Sequence, residues 1–299
     1  MYLDHAATTP MRPEALEAMT AELAEVGNPS SLHASGRRAR RVVEESRESI
    51  AAVLGVNPVD VVFTSGGTEA DNLAVKGLYR ARRAASSSRS RVLCSAVEHH
   101  AVLDAVEHLG KAEDADVRWL PVDHLGRLDL DRLAGELDEG GDDVALVTVM
   151  WANNEVGTLQ PVAEIAALCA ERGVPFHSDA VQAVGHVPVD ASVPTTLALS
   201  GHKVGGPHGV GALLARRGVA LEPLVHGGGQ ERDVRSGTLD APAIAGLAAA
   251  VCASDADRVE RTARVAALRD DLVRRVTAEI DGVTRNGDPG SCLPGIAHL

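Results

Sequence analysis

The stretch Phe63-Thr64-Ser65-Gly66-Gly67-Thr68-Glu69-Ala70 decides the fold because it joins two different hydrophobic patterns. Residues 59–64 are apolar and β-branched, which predicts a strand, and residues 69–83 carry apolar side chains at helical spacing. The glycines and Thr68 therefore lie where a strand passes into the N-terminus of a helix, and such a terminus binds anions through its free N–H groups. A phosphate site is one interpretation, and a glycine-rich turn with a capping box is the other.

The same alternation continues along the chain. Further strands are predicted at residues 91–95, 117–121, 144–150, 174–177, 197–200 and 210–214, and further helices at 100–109, 162–172 and 257–280. Strands that alternate with helices require crossover connections, which predict a mainly parallel sheet with helices on both faces. We therefore expect an α/β protein that binds its ligand outside the carboxyl ends of the strands.

Composition excludes several classes of protein. The chain of 299 residues has 45% hydrophobic residues and a formal net charge of −13. This charge argues against direct binding of nucleic acid, and the lack of a long apolar run argues against a membrane protein. The N-terminus does not resemble a signal peptide, and the four scattered cysteines form no CxxC pair, so we expect a reducing, cytoplasmic location.

The domain organisation is predicted from a change of pattern near residue 255. It gives an N-terminal segment at residues 1–12 that is expected to pack with the smaller domain, a large domain at 13–255 and the start of that smaller domain at 256–299. About 45 residues are too few for a free-standing domain, so we expect the sequence to be incomplete at its C-terminus. The polar stretch 82–91 is expected to be a solvated connection rather than a basic docking patch.

Polar residues that could take part in catalysis or cofactor binding follow four of the predicted strands. Lys203 is one of only three lysines, and a desolvated lysine can form a Schiff base with an aldehyde, whereas arginine cannot. The alternative is a lysine at a strand end that points into water. Asp179 suits the ring nitrogen of a pyridoxal cofactor, or alternatively a helix N-cap. His99 suits ring stacking or proton transfer, and no spaced ligand completes a metal site around it. The pair Asn153-Asn154 suits a ring hydroxyl or an Asx turn.

These motifs resemble those of the cysteine desulfurases, which are pyridoxal-phosphate enzymes of the class V aminotransferase group. The matching segments are residues 2–10, 27–31, 63–72, 98–99, 153–157, 177–182, 200–203, 226–232 and 235–238. The resemblance implies a fold type I PLP-dependent transferase, with a large domain built on a mainly parallel sheet and a smaller α/β C-terminal domain. The last two segments resemble the branch that serves general iron–sulfur assembly and tRNA thiolation.

The resemblance also implies roles for individual residues toward pyridoxal 5'-phosphate. Lys203 would form the Schiff base, His99 would stack on the ring and act as acid and base, and Asp179 would pair with the pyridinium nitrogen. The implied cofactor-binding residues are Gly67, Thr68, His99, Asn154, Asp179, Gln182, Ser200, His202, Lys203 and Thr238. Thr238 would reach the phosphate of the other subunit, which makes a homodimer part of the expectation.

The implied reaction converts the substrate L-cysteine to L-alanine and leaves sulfur as an enzyme persulfide, which a sulfur-acceptor or iron–sulfur scaffold protein would take. The family's persulfide cysteine and substrate-binding arginine are expected beyond Leu299, and Cys292 is not expected to replace that cysteine. This chain alone is therefore not expected to be fully active. Two alternatives remain open. One is another fold type I lyase or aminotransferase, acting for example on selenocysteine or cysteine sulfinate, and the other is a non-catalytic partner subunit.

Overall fold

The computed structural model describes residues 2–299, and within them the chain forms one sheet of seven strands and eight α-helices. The strands are β1 (Val61–Thr64), β2 (Arg91–Ser95), β3 (Asp116–Leu120), β4 (Val144–Thr148), β5 (Phe176–Asp179), β6 (Thr196–Ser200) and β7 (Gly211–Ala215). The helices are α1 (Pro13–Leu23), α2 (Ala34–Leu54), α3 (Gly67–Ala85), α4 (His100–Ala112), α5 (Leu130–Gly140), α6 (Val162–Glu171), α7 (Ala241–Ala256) and α8 (Arg258–Glu279).

The sheet has the strand order β1-β7-β6-β5-β4-β2-β3. The four pairings among the five strands from β6 to β3 are all parallel, and β7 is antiparallel to both β1 and β6. Because β7 is antiparallel to both of its neighbours, β1 runs in the same direction as β5 and β6. The carboxyl ends of β4, β5 and β6 therefore meet the turn after β1 at one edge of the sheet. This architecture confirms the predicted α/β fold with a mainly parallel sheet.

Burial along the strands shows that helices cover both faces of the sheet. Every residue of β4, β6 and β7 is buried, as expected when a strand has no solvent-facing side. Helices α1, α2 and α7 pack together on one part of this core. The small residues of α7 permit close contact, since a Cβ atom on Gly246 would lie 2.8 Å from Cγ of Pro207.

Helix α8 differs from α7 in its burial. Nine residues of α7 are buried, whereas α8 has no buried residue in the part of the chain that the structure describes. The change falls at Asp257, close to the predicted boundary near residue 255, and the division into domains stays a prediction. Within residues 2–299, no helix combines the length and the apolar character needed to cross a bilayer.

Several element boundaries differ from the sequence predictions for local reasons. Residues 59–60 belong to the 3-10 turn Pro58–Asp60, because proline presets the backbone of a first turn. Strand β5 begins after Pro175, which lacks an N–H, and extends to Asp179. Helix α3 continues to Ala85, so the first four residues of the predicted loop 82–91 are helical, in keeping with the high helix propensity of alanine. Helices α1, α2, α5 and α7 were not predicted.

Candidate active site

A cavity of 540 Å³ lies where the ends of β4, β5 and β6 meet the N-terminus of α3. Its volume falls within the range of small-molecule and cofactor sites, roughly 300–1,000 Å³. It is lined by Asp4, Ala6, Ala7, Gly67, Thr68, Asp71, His99, Met150, Asn154, Glu155, Asp179, Val181, Gln182, Ser200, His202 and Lys203. Nine of the ten residues predicted to bind a cofactor are in this set, and Thr238 is not.

Lys203 follows β6 in the 3-10 turn Gly201–Lys203 and is half-buried. Its Nζ donates hydrogen bonds to the carbonyl oxygens of Ala6 and, at 2.8 Å, of Ala7. Burial lowers the pKa of this amine, and the negative charges of Asp179 and Asp4 only partly oppose the effect. A lowered pKa increases the fraction of neutral amine, the form that attacks an aldehyde.

Asp179 is the last residue of β5 and is buried at the cavity wall. Its Oδ1 accepts a hydrogen bond from the backbone N–H of Val181 at 2.8 Å. Burial and the nearby charge of Asp71 together raise the pKa of this carboxyl to about 7. No helix directly follows Asp179 in the described chain, so the N-cap alternative is wrong; one oxygen holds a turn while the side chain lines the cavity. A cation bound in the cavity would favour its charged form.

The N-terminus of α3 forms a cradle of backbone and small side chains. Gly66 has φ 151° and ψ −177°, a conformation that side chains other than glycine's rarely allow. A Cβ atom on Gly67 would lie 2.8 Å from Cγ2 of Val181 and 3.4 Å from Cβ of Ser200. Amides in the first turn of a helix have no intrahelical partner, so this cradle can bind an anion. The capping contact is also present, since Glu69 Oε2 accepts the N–H of Ser65 at 2.6 Å.

Two histidines lie at the cavity with different surroundings. Nδ1 of His99 accepts a hydrogen bond from the backbone N–H of Ala101 at 3.1 Å, so the ring proton of its neutral form resides on Nε2. Nδ1 of His202 lies 3.2 Å from Oγ1 of Thr8, and its ring stacks on His208 with 5.1 Å between centroids. His99 therefore keeps one nitrogen available to the cavity, whereas His202 is tied to the N-terminal segment.

Asn153 and Asn154 have different roles, and each matches one of the two that the sequence left open. Oδ1 of Asn153 accepts the backbone N–H of Glu155 at 2.9 Å, which is an Asx turn, whereas Asn154 lines the cavity. Gln182 donates from Nε2 to the carbonyl oxygen of Ala6 at 2.8 Å. The N-terminal segment is thus part of the cavity wall. Sequence reasoning included residues 2–10 in a family motif but gave these carbonyl groups no role.

Sequence reasoning also missed a group of buried polar side chains beneath the cavity. Oδ1 of Asp71 lies 3.2 Å from Nε2 of His177, whose Nδ1 lies 3.0 Å from Oγ1 of Thr196. Oε1 of Glu98 accepts the backbone N–H of Met150 at 2.6 Å, and burial raises the pKa of Glu98 to about 8. Asp71 was detectable in principle, because helical spacing places this acid on the apolar face of α3.

Thr238 lies outside the cavity and is exposed. Its loop is held to α3 and to α2 by two ion pairs. Arg235 contacts Glu69 at the N-terminus of α3 at 2.9 Å, and buried Arg47 makes bonds of 2.8 and 2.7 Å to the two carboxylate oxygens of Glu231. Burial alone would raise the pKa of Glu69, but its hydrogen bonds with Arg235 and the Ser65 backbone lower it. The role of Thr238 toward a second subunit stays a prediction.

The cysteines lie away from the cavity lining. Cys94 and Cys169 are buried, and burial raises the pKa of both thiols, to about 12 for Cys169. Cys252 and Cys292 are partly exposed, and the Sγ of Cys292 accepts a hydrogen bond from Arg285 at 3.1 Å. Among the residues described, no cysteine lines the cavity that contains Lys203.

Comparison with known proteins gives the class to which this fold and cavity belong. Residues 1–298 match the family model for aminotransferase class-V, and the chain belongs to that family. The family expected from the motifs is thereby confirmed.

Individual relatives narrow the class. The chain is 55% identical over 301 residues to the IscS-like cysteine desulfurase of Mycobacterium tuberculosis (strain ATCC 25618 / H37Rv), an alignment that covers 100% of this chain and 76% of the relative. A solved NifS-like protein has a TM-score of 0.92 at 35% identity, over 98% of this chain and 80% of its own. SspA in complex with cysteine has a TM-score of 0.78 at 36% identity, over 84% of this chain and 72% of its own.

Proposed function

We propose that the protein is a pyridoxal-phosphate-dependent cysteine desulfurase, which converts L-cysteine to L-alanine and transfers the sulfur atom to a thiol as a persulfide. The observation that carries this proposal is the convergence of Lys203, Asp179, His99 and the α3 cradle on one cavity. The names of the relatives support this reaction over other amino-acid lyases. A non-catalytic subunit would have no chemical need for a half-buried lysine opposite a buried acid.

The residues present fit pyridoxal phosphate. The cradle at Gly67 and Thr68 leaves no room for a Cβ atom at residue 67 and presents helix amides, which suits the phosphate group. Asp179 offers a buried carboxyl to the ring nitrogen, and Lys203 offers an amine with a lowered pKa to the aldehyde. When bound, the cofactor withdraws electrons from the substrate through its protonated ring.

The protein's own residues orient the reactants and move protons. The bond from Val181 fixes the Asp179 carboxyl, so that its other oxygen can face the ring nitrogen. Nε2 of His99 is the nitrogen available for proton transfer, because Nδ1 is held by the backbone of Ala101. The Lys203 amine must leave the Ala6 carbonyl to react. The N-terminal segment therefore controls the position of the free amine.

The burial of two cysteines and the exposure of Thr238 guide the proposals for the sulfur acceptor and for the assembly of subunits. The buried thiols of Cys94 and Cys169 are shielded from the cavity, so we propose that sulfur passes to a thiol carried by another segment or by a scaffold protein for iron–sulfur clusters. We also propose a cytoplasmic homodimer, in which Thr238 contributes to the neighbouring phosphate site. The exposure of Thr238 and the free state of all four cysteines support these two proposals.

The test compares Lys203→Ala with Lys111→Ala after both proteins are reconstituted with pyridoxal phosphate. Lys111 is exposed and pairs with Glu107, so it serves as a matched surface control. We expect Lys203→Ala to lose both the visible absorbance of the bound cofactor and alanine production from cysteine, while Lys111→Ala keeps the absorbance. Retention of the native visible absorbance by Lys203→Ala would exclude the proposed function.

A further inference from the structure

Three buried carboxyl groups lie together, two of them in the wall of the cavity and one behind it. Asp71, Glu98 and Asp179 are 1%, 6% and 5% exposed. Asp71 and Asp179 both line the cavity, and each of the three lies close enough to another for its charge to matter. Among the described residues, no lysine or arginine forms an ion pair within 4.0 Å with any of these carboxyls. Three carboxylates cannot be charged together at such a site without a large cost in free energy.

The groups that face Asp71 come from four different elements. His177 and Asp179 belong to β5, Glu98 lies between β2 and α4, and His99 is the N-cap of α4. Lys203 follows β6 and is the one lysine or arginine among the described residues that line the cavity. Its charge acts on Asp179, and its Nζ is bonded to the carbonyls of the N-terminal segment. One lysine can balance one carboxylate, which leaves Asp71 and Glu98 without a compensating charge.

The contact between Asp71 and His177 permits two arrangements of protons. In the first, a charged Asp71 accepts the Nε2–H of a neutral His177, and Nδ1 accepts the hydroxyl proton of Thr196. In the second, a neutral Asp71 donates its carboxyl proton to Nε2, and Nδ1–H donates to Oγ1 of Thr196. Both arrangements use every polar contact that the structure shows. They differ in the number of negative charges placed beside Asp179.

We propose that Asp71 is a positioning residue that carries a proton at neutral pH and donates it to Nε2 of His177, so that Asp179 is the charged carboxyl at the cavity. The second arrangement has one buried negative charge fewer, and this decides between the two. Burial also raises the pKa of Asp71 well above its ordinary value and lowers the pKa of His177 to about 4, which keeps the imidazole neutral. The negative charge then lies on Asp179, beside the position that a cationic ring nitrogen would take.

The importance of Asp179 as the charged group rests on the proposed function, but the proton on Asp71 does not. The test is therefore made on the cofactor-free protein as well as on the loaded one. Protein labelled with ¹³C at aspartate carboxyls is titrated by NMR, and the Asp71 signal is assigned by its loss in Asp71→Asn. In parallel, ¹⁵N shifts of the imidazole report which nitrogen of His177 carries the proton.

We expect the carboxyl carbon of Asp71 to keep the shift of a neutral acid at pH 7, and His177 to carry its proton on Nδ1. Asp104, which is exposed on α4, gives the carboxylate reference. An Asn amide at residue 71 can donate to His177 as the protonated acid does. Asp71→Asn should therefore bind pyridoxal phosphate within about threefold of the native affinity, as should the control Asp104→Asn.

Two results would overturn the proposal. One is a carboxyl signal of Asp71 that titrates near its ordinary value of about 4, together with an Nε2–H tautomer of His177. The other is a loss of cofactor affinity of tenfold or more, about 1.4 kcal/mol, in Asp71→Asn alone. If Asp71→Asn does not fold, the tautomer of His177 in the native protein decides the question. A failure of the proposed function would abolish cofactor binding in the native protein and leave the NMR result unchanged.

Discussion

Replacement of Glu231 by glutamine should unfold the protein at a much lower denaturant concentration, because it leaves a buried arginine without its counter-charge. The side chains of Arg47 and Glu231 are 10% and 2% exposed. Glu231 accepts two bonds from Arg47 and a third, at 2.8 Å, from the backbone N–H of Phe63. Arg47 also donates to the carbonyl of Val61 at 2.6 Å. The pair thus joins α2, β1 and the loop that carries Thr238.

The size of the effect follows from these contacts. Although burial opposes it, the bonds to Glu231 keep the pKa of Arg47 above its ordinary value in the native protein. Because arginine does not lose its proton in proteins, the guanidinium of Glu231→Gln stays charged without a counter-charge. The oxygen of a glutamine amide in the place of Oε2 can retain two of the three bonds, while its NH₂ group takes the place of Oε1 and faces the guanidinium. One charge-assisted bond of about 1.5–3 kcal/mol is lost, and the buried guanidinium is left without its counter-charge. The expected loss of unfolding free energy is therefore about 3 kcal/mol, the lower end of the range for broken buried pairs.

Urea denaturation followed by circular dichroism measures this loss, with Glu45→Gln as the matched control. Glu45 pairs with Arg41 on the exposed side of the same helix, so its replacement should cost less than about 0.5 kcal/mol. The double variant Arg47→Met/Glu231→Gln removes both charges and should be more stable than Glu231→Gln alone. Equal midpoints for Glu231→Gln and Glu45→Gln would refute the reasoning.

Three further predictions concern the cavity, the thiols and pH. Gly67→Ala should weaken the binding of pyridoxal phosphate by about tenfold through overpacking, as measured by equilibrium dialysis. The control is Gly135→Ala on α5, where a Cβ atom meets nothing within 4 Å, and it should leave the binding unchanged. In the native protein a thiol reagent should modify Cys292 but not Cys94, as detected by mass spectrometry; modification of Cys94 before unfolding would contradict its burial. The unfolded chain releases the Glu98 proton near pH 4.5, whereas the folded protein holds it to about pH 8. The stability of the cofactor-free protein should therefore fall between these values by on the order of 4 kcal/mol, and Glu98→Gln should flatten the slope in urea titrations at pH 5 and 8.

Local patterns predicted the parts of the fold and the site that depend on neighbouring residues. Lys203 and Asp179 follow short apolar runs, and parallel strands end at one edge, so their meeting at the cavity could be inferred from the sequence. Of the four helices that were not predicted, α1 and α7 have weak hydrophobic periodicity, whereas α2 and α5 are amphipathic and were detectable from the sequence. In α7, alanines on every side conceal which face packs against α1 and α2.

The parts that could not be predicted depend on contacts between distant residues. Lys203 and Ala6 are 197 residues apart, and a backbone carbonyl group leaves no mark on the amino-acid pattern. The contact of Asp71 with His177 spans 106 residues and involves two residue types that are individually common. Similarly, the antiparallel direction of β7 depends on how it packs between β1 and β6. The short apolar run at residues 210–214 does not indicate a direction.

The position of β1 at the edge of the sheet has a consequence for the order in which the protein can assemble. In the described sheet β1 pairs with β7 alone, and Val61 lies opposite Leu214. A nascent chain that has emerged only as far as the turn after β6 already contains the glycine cradle and Lys203, but its first strand has no neighbour to hold it. Gly211 of β7 also packs against the backbone of Gly66 so closely that a Cβ atom there would lie 2.7 Å from it. Synthesis of β7 therefore completes the anion cradle. Until then, the growing polypeptide holds the reactive lysine without a formed site in which to use it.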